Sequence, residues 1–147
     1  MTKTETSYQT LEIGQAVLLG KQSLTESEII EYAKMFDPLD FHIDKEAAKR
    51  SLFGRLIASG PHIFQLMHRN FWIPRFGSSV IAGLEVNNWK FLKPVYPNQE
   101  IECYITILSK KVNSDSKTVT IKWFYEFKYA QSKELVQCLD MTVLHRL

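Results

Sequence analysis

The chain has 147 residues, of which 45% are hydrophobic, 12% aromatic and 23% charged, with a formal net charge of +2. That length suits one packed core and is short for two, and the apolar content argues against a disordered chain. The near-neutral balance and dispersed lysines lack the basic stripe that duplex nucleic acid demands, which argues against a nucleic-acid partner.

The opening Met1-Thr2-Lys3-Thr4-Glu5-Thr6 is polar and carries no apolar signal core, and no later apolar run is long enough to span a bilayer. The expectation is a cytoplasmic protein with no membrane partner. A first strand is predicted over Gly14 to Leu19. Thr25-Glu26-Ser27-Glu28 then reads as a capping box, in which the Thr25 hydroxyl takes a free amide while Glu28 reaches back to the cap residue. Ile29, Ile30, Ala33 and Phe36 supply one apolar face of the helix that follows. Pro38 ends that helix, because proline disfavours helical geometry at Asp37 and brings no amide hydrogen. The segment from Asp37 to His42 is therefore expected to be a loop.

Asp44-Lys45-Glu46-Ala47-Ala48-Lys49-Arg50 predicts a short helix capped by Asp44, and Gly54 a turn. Ser59-Gly60-Pro61 marks the start of a more apolar helix, since proline is tolerated at its first position. Its expected buried stripe is Ile63, Phe64, Met67 and Phe71, and its apolar breadth suggests a helix covered on most sides.

Beyond about Phe71 the period changes from helical to twofold. A strand is expected over about Ser79 to Leu92, another through Ile101, Cys103, Ile105 and Ile107, and a third through Val119, Ile121, Trp123, Tyr125, Phe127 and Tyr129. Asn113-Ser114-Asp115-Ser116 and Gln131-Ser132-Lys133 separate the last three strands, which predicts an antiparallel meander ending near Leu144. The whole is an α+β arrangement, a curved antiparallel sheet around one long helix. Trp89, Phe91 and Trp123 follow the strand period and read as sheet core or interface. Cys103 and Cys138 have no CxxC spacing and read as buried free thiols.

Within the loop after the first helix, Asp37 and His42 set a carboxylate and an imidazole five residues apart, a pair able to transfer protons. Taken alone they have a plain structural explanation: Asp37 stabilises the turn and His42 is a hydrogen-bonded loop residue. His62, His68 and His145 are read as packing or surface residues and Asp44 as a helix cap.

Three segments in order change that weighting. Phe36-Asp37-Pro38-Leu39-Asp40-Phe41-His42-Ile43-Asp44, Phe53-Gly54-Arg55-Leu56-Ile57-Ala58-Ser59-Gly60 and Phe91-Leu92-Lys93-Pro94-Val95-Tyr96-Pro97-Asn98-Gln99-Glu100 resemble a MaoC-like dehydratase of the hot dog fold, the family that includes the R-specific enoyl-CoA hydratases. The resemblance covers most of the chain and implies one such domain over residues 1–147. It implies reversible hydration of an enoyl-CoA or enoyl-ACP to a 3-hydroxyacyl thioester, with Asp37 and His42 in the catalytic positions. Asp37 is assigned as base toward water and His42 as its hydrogen-bonding, proton-relaying partner. The Gly60 amide, at the positive end of the central helix, would stabilise the thioester oxygen. Ser59 is a secondary substrate-binding candidate, for which helix capping is the simpler reading.

The chain departs from the family pattern where Asp40-Phe41 replace Asn-Pro, and where Ser59-Gly60 stands for His-Gly. Asp40 pointing into the site would raise the pKa of one carboxyl group by like-charge repulsion. Two other functions stay open: a hot dog acyl-CoA thioesterase, since Val86-Asn87-Asn88 faintly resembles one thioesterase motif, and a non-catalytic acyl-thioester-binding protein. No glycine-rich phosphate loop follows a strand and no His/Cys cluster has metal spacing, so neither cofactor nor metal is implied. Lys49, Arg50, Arg55, Lys90 and Lys93 are available to the phosphates of an acyl carrier without any being singled out. The resemblance further implies a homodimer or higher homo-oligomer with sheets joined edge to edge, the substrate tunnel near the interface, and a place in fatty acid metabolism.

Overall fold

A computed structural model of the chain describes residues 7–147, so the polar Met1–Thr6 segment lies outside the described residues. The helical half begins as its sequence dictates. Strand β1 (Val17–Gln22) leads into helix α1 (Glu26–Phe36), whose capping box forms in full: Thr25 Oγ1 accepts from the Glu28 amide at 3.2 Å, and Glu28 Oε1 accepts from the Thr25 amide at 3.3 Å. The strand starts at Val17 rather than Gly14, because Gly14 adopts a φ of +86° that extended backbone does not use. On α1, Ile29 and Ala33 are fully buried, whereas Phe36 is exposed and packs on the Tyr32 ring instead of the core.

Pro38 stops α1 as expected, but the next residues are not all loop. Asp40–Ile43 form one helical turn, α2, entered from an extended Leu39. Helix α3 (Lys45–Lys49) follows at once, capped by Asp44 Oδ1, which accepts from the amides of Glu46 and Ala47. Gly54 turns the chain with a φ of +69°.

The central helix is three pieces, which the sequence period does not announce. Helix α4 (Gly60–Met67) passes into a π turn (His68–Trp72) and then α5 (Ile73–Phe76). A π turn adds one residue to the helical repeat. The buried stripe accordingly runs Ile63, Phe64, Met67 and then Trp72 and Phe76, while the expected Phe71 is only half-buried.

Strands β2 (Val80–Phe91), β3 (Ile101–Asn113), β4 (Thr118–Tyr129) and β5 (Leu135–Arg146) complete a five-stranded antiparallel sheet in the order β1-β3-β4-β5-β2. The meander β3-β4-β5 sits in its middle, as the turn signals predict. Its inward residues Ile105, Ile121, Trp123, Tyr125 and Phe127 are essentially inaccessible and meet α4 through Phe64, whose ring stands edge-on to Tyr125 with centroids 5.2 Å apart. The α+β arrangement is therefore the one expected: a sheet curved around a central helix. Cys103 is buried and Cys138 half-buried, both as free thiols.

Candidate active site

The segment after α1 presents its carboxylate and imidazole to the beginning of α4. Asp37 caps the C-terminus of α1, its amide donating to Ala33, and α2 carries His42 one turn later. The result brings His42 Nε2 to 3.4 Å from Asp37 Oδ2, with the imidazole 6% and the carboxylate 35% exposed.

Hydrogen bonds outside the pair decide what it can do. His42 Nδ1 lies 2.7 Å from the Ile57 carbonyl oxygen. A carbonyl only accepts, so Nδ1 carries the hydrogen and Nε2 of the neutral ring is a bare lone pair. That lone pair faces a carboxylate oxygen, another acceptor. Two acceptors do not bond to each other, so both stay open to a donor that reaches them from the cavity side, and water is such a donor.

Asp37 is anchored in turn. Ser59 is buried and does not cap α4; its hydroxyl donates to Asp37 Oδ2 at 2.8 Å. This corrects the simpler reading of Ser59, since a hydrogen bond to a charged acceptor outweighs one to a neutral amide. Ser59 orients the acid from behind and is not part of the cavity wall. Asp40 is exposed at the first turn of α2 and faces away from the cavity, so it leaves the second carboxylate outside the site.

Asp37, His42 and Gly60 share a largely apolar cavity of about 440 Å³, whose wall includes Phe41, Phe53 and Phe91. A larger cavity of about 720 Å³ adjoins it through Lys93 and Pro94 but contains neither dyad residue, so the smaller one is the candidate site. Gly60 opens α4 with Pro61 after it, and the first amides of a helix have no acceptor within the helix. A Cβ on Gly60 would fall 2.6 Å from the Phe91 ring, so any side chain there would push Phe91 out of the wall. Phe91 thus belongs to the site as well as to the sheet.

Charge around the dyad is also legible. Burial raises the Tyr32 phenol, and the nearby negative charge of Asp37 adds to that shift. Tyr32 stacks flat on His62 at a centroid distance of 4.0 Å, and burial pushes His62 down to about 4 against the opposing charge of Glu28. His62 therefore stays neutral and acts as packing beneath the site. His145 packs too, at the far end of the sheet. Among the described residues no group of three or more His, Cys, Asp or Glu is arranged to hold a metal ion, and no helix is long and apolar enough to cross a membrane.

Besides Phe91, which the strand period assigns to the sheet, two contributors escape sequence reasoning. The Ile57 carbonyl has no sequence signature, because any residue offers one. Gln137 had a signal: it is a polar residue in phase with the inward face of β5, and its side chain reaches the cavity wall.

With this geometry in place, comparison with known families is decisive. The model of the MaoC like domain matches residues 8–123. The chain belongs to the MaoC-like dehydratase family. It is 34% identical over 101 residues to the uncharacterized protein YdeM of Bacillus subtilis, covering 67% of this chain and 71% of that one. Among solved structures, a monoamine oxidase regulatory protein from Archaeoglobus superposes with a TM-score of 0.81 at 26% identity, over 95% of this chain and 93% of that one. An (R)-hydratase of A. caviae involved in PHA biosynthesis superposes with a TM-score of 0.69 at 21% identity, over 92% and 97%, which speaks to the hot dog fold alone. Membership sets this MaoC-like chain in a hydratase and dehydratase family of the hydro-lyase type.

Proposed function

We propose that the chain, acting as one MaoC-like hot dog domain, interconverts an enoyl thioester and the corresponding 3-hydroxyacyl thioester. The observation that carries this reading is the Asp37–His42 pair, held by Ser59 and Ile57 so that two acceptors converge on one point of an apolar cavity. A water donating to both would have its oxygen lone pairs free for the β-carbon. Asp37 removes one proton of the water as its oxygen attacks the β-carbon, the second O–H stays on the new hydroxyl and donates to His42 Nε2, and the proton taken up by the dyad is then delivered to the α-carbon. The dyad ends as it began, and dehydration runs the same steps backwards.

Negative charge gathers on the thioester oxygen between these events, and the Gly60 amide at the start of α4 is the donor suited to it. The apolar walls suit an acyl chain, and the adjoining larger cavity suits the carrier, whether coenzyme A or a carrier protein. Hydrolysis by a thioesterase has less support, since Val86-Asn87-Asn88 lies on β2 and outside the cavity wall. The outer edge of β2 exposes Ile81, Leu84 and Val86, which suits pairing with a second copy in a homodimer.

Crotonyl-CoA tests the reading directly. Loss of the enone absorbance is expected on incubation with the purified protein. Release of free thiol instead would support hydrolysis, and no reaction with short or medium enoyl-CoA would leave binding alone and sink the proposal.

A further inference from the structure

Gln137 is a side chain that the dyad does not explain. It lies on β5 in phase with Leu139, Met141, Val143 and His145, and is 1% exposed. Placing a primary amide among apolar residues costs free energy unless its polar atoms are paired. Both ends are. Oε1 accepts from Trp89 Nε1 at 2.8 Å, and Nε2 donates to the Gly60 carbonyl at 2.9 Å.

The orientation of this amide follows from chemistry alone. An indole N–H only donates and a carbonyl only accepts, so turning the amide over would set donor against donor and acceptor against acceptor. Trp89 on β2 thereby fixes which end of Gln137 meets Gly60. On the other side of the Gly60 Cα, the Ser59 carbonyl accepts from the His62 amide at 3.1 Å. Both peptide planes flanking Gly60 are held, and the Phe91 ring closes against the space a Cβ would take. A glycine, the residue with the loosest backbone, is immobilised on three sides at the point where a backbone donor is required.

We propose that Gln137 is a positioning residue, which holds the Gly60–Pro61 peptide and through it the Gly60 Cα, so that the Gly60 amide on the preceding peptide stays aimed at the developing oxyanion, with Trp89 locking Gln137 in turn. The proposal rests on the hydration chemistry above. It deepens that reading by naming what fixes the third element of the site. Because the Gly60 donor matters most when charge has developed, loosening it affects kcat more than KM.

Gln137→Met keeps the length of the side chain and removes both polar ends. The expected result with crotonyl-CoA is a kcat about 10- to 100-fold lower, the scale at which small displacements of a reacting group act, with KM within about threefold. Trp89→Phe leaves Gln137 present but frees its Oε1, and should lower kcat by about three- to tenfold. Adding Trp89→Phe to Gln137→Met should cost no further kcat, because the two residues act through one chain of contacts. A folded Gln137→Met protein with wild-type kcat overturns the proposal, as does a change confined to KM. Should Gln137→Met not fold, unchanged kcat in Trp89→Phe overturns it equally. A wild-type protein inactive on every enoyl-CoA would overturn the hydration reading and this role with it, whereas an active wild type beside an equally active Gln137→Met removes the positioning role alone.

Discussion

His42 and His145 are both buried, both have Nδ1 in a hydrogen bond, and sit at opposite ends of the molecule with opposite consequences. At the sheet end, Trp123 Nε1 donates to His145 Nε2 at 3.2 Å, so Nδ1 carries the hydrogen and gives it to Ser79 Oγ at 2.8 Å. Every polar atom of that ring is occupied, and burial pushes its pKa down to about 4. At the helix end Ile57 takes the Nδ1 hydrogen of His42, but Nε2 meets only a carboxylate oxygen 3.4 Å away. The same tautomer has its second nitrogen closed by a donor in one case and facing an acceptor in the other, and the proposed hydration uses the latter. What separates the two rings is the partner that Nε2 meets, not burial.

The contrast can be broken at either end. Asp37→Asn and His42→Ala should each lower kcat for enoyl-CoA hydration by about 100- to 10,000-fold, the range lost with a positioned acid or base. Urea midpoints that fall with activity in both variants would make the pair structural. For the two rings that only pack, His62 beneath the site and His145 at the sheet end, the expected signature is stability rather than rate. His62 and His145 have folded-state pKa values of about 4 against an ordinary 6.5, so the unfolded chain binds more protons between those values. Their stabilising contribution is full above pH 6.5 and is lost as pH falls toward 4, by roughly 3 kcal/mol for each ring. Urea unfolding followed across that window checks the slope; a flat profile contradicts it. The smallest effect compares the two serines. Ser59→Ala should reduce kcat about tenfold with little change in midpoint, and Ser79→Ala should cost about 1 kcal/mol of stability with kcat unchanged. Reversal of that pattern would exchange the roles assigned to the two ends.

Much of the fold is legible in the sequence, and the reasons differ by element. The capping box at Thr25, the stop at Pro38 and the alternation from Val119 to Phe127 are local, so neighbours in sequence determine them. Asp37, His42 and Gly60 stand out as candidates only through the resemblance of three segments in order, since the five-residue spacing alone has a plain structural explanation. The Ser59–Asp37 hydrogen bond spans 22 residues and the Gln137–Gly60 bond 77, and no local pattern records which partner a buried hydroxyl or amide will find. Phe91 followed the strand period faithfully and still lines the cavity, because the end of β2 passes over the start of α4. Asp40 looked like a rival to Asp37, yet the helical turn of α2 directs it to solvent.

The π turn at His68–Trp72 separates the central helix into two stretches whose faces are set independently. One extra residue rotates everything beyond it by about 100° relative to an unbroken α-helix. Upstream, the phase is dictated by what Gly60 and His62 must meet; downstream, by where Trp72 and Phe76 find room against Trp123. Changes around Gly60 therefore act on a different helical phase from the aromatic packing at the far end, although both stretches share a single rod.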